Sequence, residues 1–294
     1  MAPSDAAEAM RAQLARILDD ATARLARAGV DSPRLDAELM LARAADTTRS
    51  AIWSALTGIS PAATGRFEAM LSRRQAREPL AYILGSKEFY SLEFEITPAV
   101  LIPRPETEVL VGAALEFAAA HPDARVLDIG TGSGAIAIAL AANAPRISVI
   151  ATDIEESALA VARRNVARHH LEDRIALRWA DVFEPLDGGD ALGEFDLIVS
   201  NPPYVEISAI DSLEPEVRDY EPPAALFAGA DAFECYKRIA GGACEHLNRD
   251  GAVMVEVGAG QAAAVSALFR EAGLHLTGVI NDLAGIERVV TARV

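Results

Sequence analysis

The sequence has 294 residues, a formal net charge of −16 and 51% hydrophobic residues. A chain of this length exceeds the usual size of one domain, so we expect one large domain and one smaller domain. The excess of acidic residues disfavours direct binding of nucleic acid, because nonspecific attraction to phosphates depends on clustered Lys and Arg. No charge-free apolar run is long enough to span a bilayer, which disfavours a membrane protein.

The first ten residues carry acids and alanines rather than a basic segment followed by an apolar one, so no secretory signal is expected. This favours a cytoplasmic location. The two cysteines, Cys235 and Cys244, match no zinc-binding spacing. We therefore expect no metal site, and we expect both cysteines to be buried as small apolar residues.

Residues 1–77 have the apolar spacing of a small helical domain. Apolar side chains recur at three- and four-residue steps in the first segment, namely at Leu14, Ile17, Leu18, Ala21 and Leu25. Gly29 should end that helix, and Asp31-Ser32-Pro33 should cap the next one. Further short helices are expected past Trp53, Leu56, Phe67 and Leu71.

Residues 78–105 should form a β-hairpin or an extended linker that divides the domains. The segment contains Pro and Gly together with spaced aromatic and β-branched residues, namely Tyr82, Phe89, Phe94 and Ile96. Such a composition is typical of turns and short strands rather than of a continuous helix.

Residues 106–294 alternate between helix-like and strand-like segments after a predicted helix at 107–120. The predicted strands are Arg125 to Ile129, Ser148 to Thr152, Ile175 to Trp179, Asp196 to Ser200, Gly251 to Val257, Leu274 to Ile280 and Glu287 to Ala292. Such alternation favours a mainly parallel sheet covered by helices. The last two strands leave no room for a crossover helix, so they should pair antiparallel. This α/β arrangement resembles the Rossmann-like, seven-stranded methyltransferase fold.

A glycine-rich turn, Gly130-Thr131-Gly132-Ser133-Gly134, follows the predicted strand that contains Asp128. Glycines at such a turn let the backbone approach a ligand closely and leave helix N–H groups pointing at it. The Gly-x-Gly-x-Gly spacing differs from the Gly-x-Gly-x-x-Gly dinucleotide fingerprint. Taken alone, the turn is consistent with two interpretations. It could bind a nucleoside cofactor, or its glycines could serve only the packing of the helix against the strand.

Acidic residues at the ends of the next two strands strengthen the nucleoside hypothesis. Asp153 lies where a carboxylate can accept hydrogen bonds from both ribose hydroxyls. Asp181, followed by Val182 and Phe183, resembles the adenine-contacting element of methyltransferases, because an acid can accept from the exocyclic amine. Apolar neighbours would then enclose the adenine ring.

The most specific signal is Asn201-Pro202-Pro203-Tyr204, which directly follows the predicted strand at 196–200. Loops at the carboxyl ends of strands bind ligands in open α/β sheets. Two successive prolines stiffen the loop and remove N–H donors, so the loop presents carbonyl oxygens. The Asn201 side-chain oxygen and the Pro202 carbonyl could hold an NH₂ group, with the Tyr204 ring beside it. This arrangement suits methylation of an amino or amide nitrogen.

With these motifs the sequence resembles the release-factor glutamine methyltransferases over nearly the whole chain. Further segments that carry the resemblance are Pro79 to Gly85 with Glu88-Phe89, Leu101 to Glu108, Glu221 to Leu226 and Gly285 to Arg288. The complete Pro-Arg-Pro-Glu-Thr-Glu run at 103–108 is more similar to this group than to a sister group that methylates a ribosomal protein glutamine. Val182 departs from the pattern, since some relatives carry an aromatic residue there.

The resemblance implies methyl transfer from S-adenosylmethionine to a glutamine side-chain amide of a peptide chain release factor. It implies cofactor binding by Asp128, Gly130, Thr131, Gly132, Ser133, Gly134, Asp153, Asp181, Val182 and Asn201. It implies substrate binding by Arg104, Glu106, Asn201, Pro202, Pro203 and Tyr204, with Asn201, Pro202 and Tyr204 as the expected catalytic residues. Residues 1–77 would dock the substrate, and residues 106–294 would form the methyltransferase domain.

Two other functions remain open at this point. Enzymes that methylate adenine in DNA use similar Asn/Asp-Pro-Pro-Tyr loops and must flip the base out of its stack. The acidic charge of this chain disfavours such a substrate. A nucleoside-binding scaffold for the translation machinery would need only the glycine turn, and Asn201 and Tyr204 would then be idle.

Overall fold

The computed structural model describes residues 3–54, 59–186, 188–227, 229 and 231–294. The chain divides into two units, of which the first comprises Met1–Gly85 with Glu214–Tyr220 and the second comprises Ser86–Leu213 with Glu221–Val294. The helix expected past Leu56 lies outside the described residues.

The first unit is helical, as the apolar spacing of its sequence predicts. Its helices are α1 (Pro3–Arg27), α2 (Pro33–Ala44), α3 (Arg49–Ser54), α4 (Pro61–Gln75) and α5 (Leu80–Leu84), together with a helix at Pro215–Tyr220 from later in the chain. The apolar faces meet in a core that includes Leu18, Leu25, Met40, Phe67 and Leu71. Burial of these side chains is the main source of the unit's stability.

The predicted helix boundaries at Gly29 and Pro33 are confirmed. Helix α1 ends at Arg27, and Gly29 has φ 77, a left-handed conformation that glycine adopts without strain. A Cβ atom at position 29 would also lie 2.8 Å from Nη1 of Arg77. The Ser32 side chain makes no capping hydrogen bond, so the start of α2 depends on the proline in its first turn.

Helix α5 lies inside the segment that the sequence indicates as a hairpin or linker. It begins after Pro79 and ends at Leu84, and the next residue, Gly85, has φ 73. Five residues are too few to show helical periodicity in the sequence. Residues 86–95 do form a hairpin, in which β1 (Ser86–Phe89) pairs antiparallel with β2 (Leu92–Glu95), and residues 96–105 are irregular.

The second unit is built on a mixed sheet. Its further strands are β3 (Arg125–Ile129), β4 (Ser148–Asp153), β5 (Ile175–Asp181), β6 (Glu184–Pro185), β7 (Phe195–Ser200), β8 (Leu247–Glu256), β9 (His275–Asn281) and β10 (Glu287–Arg293). Its helices are α6 (Thr107–Ala120), α7 (Ala135–Asn143), α8 (Glu156–Arg168), α10 (Pro223–Leu226), α11 (Glu234–His246) and α12 (Ala262–Glu271), with a 3₁₀ helix at Ile207–Ser212. The helix at Pro215–Tyr220 in the first unit is α9.

The sheet confirms the predicted methyltransferase-like α/β fold. In the described part of the chain its strand order is β6-β5-β4-β3-β7-β8-β10-β9. Strands β3, β4, β5, β7 and β8 run parallel, and β9 and β10 form the predicted antiparallel hairpin. The eighth strand, β6, has two residues and adds a short antiparallel return to the predicted seven. The order reverses beside β3, and open α/β sheets bind ligands at such a switch point.

Two smaller predictions are wrong. Strand β8 begins at Leu247 rather than at Gly251, because the polar residues at 248–250 resemble a turn although they continue the strand. Asp250 has φ 68, which marks an irregularity in that part of β8. Cys244 is exposed and Cys235 is only partly buried, so neither is the fully buried apolar residue that was expected.

Candidate active site

The predicted motifs meet at the carboxyl ends of three neighbouring strands. Strand β3 pairs with β4 on one side and with β7 on the other, and the register aligns Ile129, Thr152 and Ser200. The glycine turn, Asp153 and Asn201 follow these three residues directly. Parallel pairing therefore brings together three motifs that are far apart in the sequence.

Asp153 holds the glycine turn in addition to ending its strand. Its Oδ2 accepts a hydrogen bond from the Gly132 N–H at 2.8 Å, and its Oδ1 accepts one from the Glu155 N–H at 2.9 Å. Burial raises the pKa of Asp153, and the two N–H donors oppose that shift. A carboxylate has about four acceptor positions, so it can still accept from the hydroxyls of a ribose.

Four of the predicted cofactor residues are buried and do not line the cavity described below, namely Asp128 in β3 and Thr131, Ser133 and Gly134 within the turn. Asp128 Oδ2 accepts hydrogen bonds from the Thr131 hydroxyl at 2.7 Å and the Ala137 N–H at 3.2 Å. Burial raises the pKa of Asp128 to about 7. Asn165 Nδ2 donates to the Ser133 carbonyl at 2.9 Å. These contacts fix the shape of the turn.

A cavity of about 440 Å³ lies beside the turn, within the second unit. Six of the predicted cofactor residues line it, namely Gly130, Gly132, Asp153, Asp181, Val182 and Asn201. Sites for small molecules usually have volumes of about 300–1,000 Å³. Sequence reasoning missed the apolar wall residues Val100, Ile154 and Cys235. Of these only Ile154 carries a sequence signal, because it follows the acid that ends β4.

The end of β5 supplies both a polar and an apolar part of the wall. Asp181 Oδ1 accepts a hydrogen bond from Nη1 of Arg238 at 2.8 Å. Val182 is 8% exposed and has φ 59, a conformation that β-branched residues rarely adopt. Phe183 lies outside the cavity wall and stacks on His246, with 4.3 Å between ring centroids. Val182 is therefore an apolar part of the cavity wall here, and Phe183 is not.

The Asn201–Tyr204 loop is divided between the cavity and the core. Asn201 and Pro203 line the cavity, whereas Pro202 is buried and Tyr204 packs against the core of the second unit. Asn201 Nδ2 donates to Thr107 Oγ1 at 3.2 Å. With its amide nitrogen engaged, Asn201 has its Oδ1 atom left to accept a hydrogen bond.

Tyr204 is fixed at both its backbone and its ring. Gln261 Nε2 donates to the Tyr204 carbonyl at 3.0 Å. A Cβ atom at Gly258 would lie 3.1 Å from the Tyr204 ring. Burial raises the pKa of Tyr204 to about 12, and the nearby Glu256 carboxyl acts in the same direction. The hydroxyl therefore stays protonated at neutral pH.

Arg104, a predicted substrate-binding residue, pairs with Glu221. The distance from Arg104 Nη2 to Glu221 Oε1 is 2.5 Å, and Glu221 is buried. Burial raises the pKa of Glu221, and Arg104 opposes that shift. Glu221 directly precedes Pro222, which lines the cavity, so the pair supports that wall. Glu106 is half-buried just before α6 and is not part of the cavity wall.

Two residues near the Asn201 loop were not predicted from the sequence to belong to the site. Glu256 is a buried carboxyl at the end of β8, and Thr107 is the buried first residue of α6. The only sequence signal for Glu256 is a single charge within the apolar run at 252–257. Thr107 lies in the Pro-Arg-Pro-Glu-Thr-Glu run that carries the family resemblance, but no chemical pattern marks it as a site residue.

Two family models match the chain, the PrmC N-terminal domain at residues 16–85 and the Methyltransferase small domain at residues 107–213. A release factor glutamine methyltransferase from Geobacter sulfurreducens is 43% identical over 95% of this chain and 96% of its own length. The chain belongs to the release factor glutamine methyltransferase family. Another family member, from Cereibacter sphaeroides, is 42% identical over 98% of both chains.

Solved structures support the same fold. The catalytic domain of hMettl16, in complex with a 3′UTR hairpin, superposes with a TM-score of 0.56 at 19% identity, covering 76% of this chain and 81% of that chain. A methyltransferase from Pyrococcus furiosus gives a TM-score of 0.50 at 19% identity, covering 77% of this chain and 96% of that chain. Such low identities show a shared fold and no more. Among the described helices, none has the length and hydropathy needed to cross a bilayer.

Proposed function

We propose that the protein transfers a methyl group from S-adenosylmethionine to the side-chain amide nitrogen of a glutamine in a peptide chain release factor. One observation carries this proposal. Asn201, the first residue of the Asn-Pro-Pro-Tyr loop, lines the same cavity as the glycine turn and Asp153. A group that can hold an NH₂ is therefore beside a site suited to a nucleoside.

The residues around the cavity fit S-adenosylmethionine. Asp153 offers carboxylate oxygens to a ribose, Asp181 offers an acceptor to an adenine amine, and Val182 offers an apolar contact. Bound S-adenosylmethionine would supply an electrophilic methyl group on its sulfonium. The backbone of the glycine turn can approach the ligand closely, because Gly130 and Gly132 have φ 72 and 55 and carry no side chain.

The main chemical difficulty is that an amide nitrogen is a poor nucleophile. Asn201 would help to overcome it by orienting that nitrogen. The lone pair of an amide nitrogen is delocalised into the carbonyl, the same conjugation that gives peptide bonds a rotation barrier of about 18–20 kcal/mol. Asn201 Oδ1 and the Pro202 carbonyl would accept the two amide hydrogens and orient the nitrogen towards the methyl donor. No base is needed beforehand, because the nitrogen becomes strongly acidic once it is methylated and then loses a proton.

The two parts of the chain would have separate roles. The helical residues 1–77 would dock the release factor, and residues 106–294 would carry out the chemistry. Residues 78–105 would link these two parts. The net charge of −16 favours a protein substrate over a nucleic acid. A cytoplasmic location would follow from such a substrate.

The test combines calorimetric titration with S-adenosylmethionine and mass spectrometry of a release factor incubated with enzyme and cofactor. We expect saturable cofactor binding and a gain of one CH₂ on a single glutamine-bearing peptide. Asn201→Ala is the matched control, which should bind cofactor but leave that peptide unmodified at early times.

The other outcomes would contradict the proposal in different ways. Methylation of adenine in a DNA duplex, with none on the release factor, would assign the loop to a nucleic-acid substrate. Cofactor binding without methylation of either substrate would favour a binding scaffold. Absence of cofactor binding would remove the methyltransferase assignment altogether.

A further inference from the structure

Glu256 is a buried carboxyl beneath the Asn-Pro-Pro-Tyr loop that the proposed chemistry does not use. It is 1% exposed and ends β8, whose residues at 252–255 are apolar. Within the described residues its Oε2 makes no hydrogen bond. Burial of a carboxyl is costly unless polar groups compensate it, so its neighbours are informative.

Two hydroxyls face the Glu256 carboxyl, those of Thr107 and Tyr204. Both act to stabilise its charged form, as does Arg288 through its positive charge, while Glu106 opposes them. Burial nevertheless dominates and raises the pKa of Glu256 to about 7. In either protonation state the carboxyl keeps an oxygen that can accept a hydroxyl hydrogen.

The direction of the hydrogen bond between Asn201 and Thr107 follows from these neighbours. Thr107 has one O–H donor, and the adjacent Glu256 carboxyl is a strong acceptor for it. The Thr107 oxygen is then left to accept, and it takes the Asn201 Nδ2 hydrogen at 3.2 Å. The loop amide is therefore hydrogen-bonded to the Thr107 hydroxyl, and the buried Glu256 carboxyl is the acceptor that would take the hydrogen of that hydroxyl.

We propose that Thr107 is a positioning residue, whose hydroxyl, oriented by Glu256, fixes the Asn201 side-chain amide so that its oxygen faces the substrate nitrogen. The inference rests on the proposed glutamine methylation and specifies how the loop is oriented for it. An Asn side chain rotated by half a turn would present its NH₂ to the NH₂ of the substrate. Two hydrogen-bond donors cannot bind each other, so the rotated side chain would not bind the substrate amide and the enzyme would be inactive.

The test compares Thr107→Val with Thr107→Ser, because valine keeps the shape of threonine without the hydroxyl and serine keeps the hydroxyl. We expect Thr107→Val to lower turnover of a glutamine substrate by ~10- to 100-fold, the effect of a misplaced reacting group. The dissociation constant for S-adenosylmethionine should stay within about twofold, since the loss affects orientation and not cofactor binding. Thr107→Ser should restore most of the turnover.

A second comparison separates orientation from general loss of structure. Because Thr107 acts through Asn201, Thr107→Val should cause no further loss of turnover in an Asn201→Ala background, measured in single turnover by mass spectrometry. Thermal unfolding of every variant shows whether it remains folded under the assay conditions.

The inference is overturned if Thr107→Val turns over substrate like the wild type, if Thr107→Ser is as impaired as Thr107→Val, or if the two losses add in the double variant. These outcomes are distinct from failure of the proposed function. If the wild-type enzyme does not methylate glutamine, both proposals fall. If it does, the Thr107 variants decide the positioning role alone.

Discussion

The Asp153 carboxylate accepts the Gly132 N–H at 2.8 Å, so the acid that ends β4 also holds the glycine turn that follows β3. Its second oxygen accepts the Glu155 N–H at 2.9 Å. One carboxylate thus holds the backbone of the glycine turn and that of the residues that follow β4. Loss of this group should disturb the turn as well as remove direct contacts with the cofactor.

Asp153→Asn should therefore weaken S-adenosylmethionine binding strongly. An amide offers one acceptor oxygen, and its NH₂ would face a backbone N–H donor. The loss of charge-assisted hydrogen bonds should cost roughly 3 kcal/mol or more, which calorimetric titration can measure. Glu156→Gln, an exposed change in the first turn of α8, is the control and should bind normally. Equal affinity of both variants would remove Asp153 from the cofactor site.

Substitution at Asn201 should separate catalysis from cofactor binding. Asn201→Ala should lower turnover by ~10²-fold or more, the scale found when one preorganised polar group is removed. Asn201→Asp should retain more activity than alanine, because a carboxylate can still accept the amide hydrogens. Initial rates at saturating cofactor measure both effects. Similar rates for asparagine, aspartate and alanine at this position would exclude the mechanism.

Glu256→Gln should stabilise the protein increasingly as the pH rises. Burial raises the pKa of Glu256 from 4.5 to about 7, so between these values the folded state keeps a proton that the unfolded state has lost. The contribution of the Glu256 carboxyl to the free energy of unfolding therefore falls as the pH rises through about 7, by an amount on the order of 3 kcal/mol. Glutamine carries no such cost.

The measurement for Glu256→Gln is the difference in unfolding free energy between variant and wild type in urea at pH 5 and pH 8. The difference should shift in favour of the variant at the higher pH. Glu245→Gln, at an exposed position on α11, is the control and should give a difference that does not change in this way. A Glu256→Gln difference independent of pH would contradict the prediction.

Glu216→Gln should destabilise the first unit. The Glu216 carboxylate accepts hydrogen bonds from Arg74 at 2.9 Å and from Arg77 Nε at 2.6 Å. Burial acts to raise the pKa of Glu216, but the two guanidinium groups lower it overall, so its contribution is lost on acidification. Removing the charge should cost about 1–3 kcal/mol in urea unfolding at neutral pH.

The matched control for Glu216 is Asp219→Asn, one turn later in the same helix. Asp219 pairs with the exposed, adjacent Arg218, and exposed ion pairs contribute little to stability. Protease cleavage within 214–220 should also be faster in the Glu216 variant. Equal stabilities and cleavage rates for the two variants would show that Glu216 does not anchor this segment.

The sequence by itself determined the local elements and the identity of the main site motifs. Strand β3 and helix α6 have their predicted bounds, because strand alternation, glycine turns and helix periodicity are local properties. The carboxyl-end positions of Asp153 and Asn201 also follow from sequence, since parallel strands bring their ends to one edge. Relatives that are 43% and 42% identical over nearly the whole chain confirm the family.

The tertiary structure decided the contacts between residues far apart in the chain. Sequence patterns indicate which residue types are present, but not which distant partner each one meets. Glu214–Tyr220 joins the helical unit through Glu216, although its neighbours in sequence belong to the other unit. The role of the buried Glu256 likewise depends on its neighbours Thr107 and Tyr204, which the sequence does not place beside it. A buried charge depends on compensation by neighbours, and those neighbours are fixed only when the chain has folded.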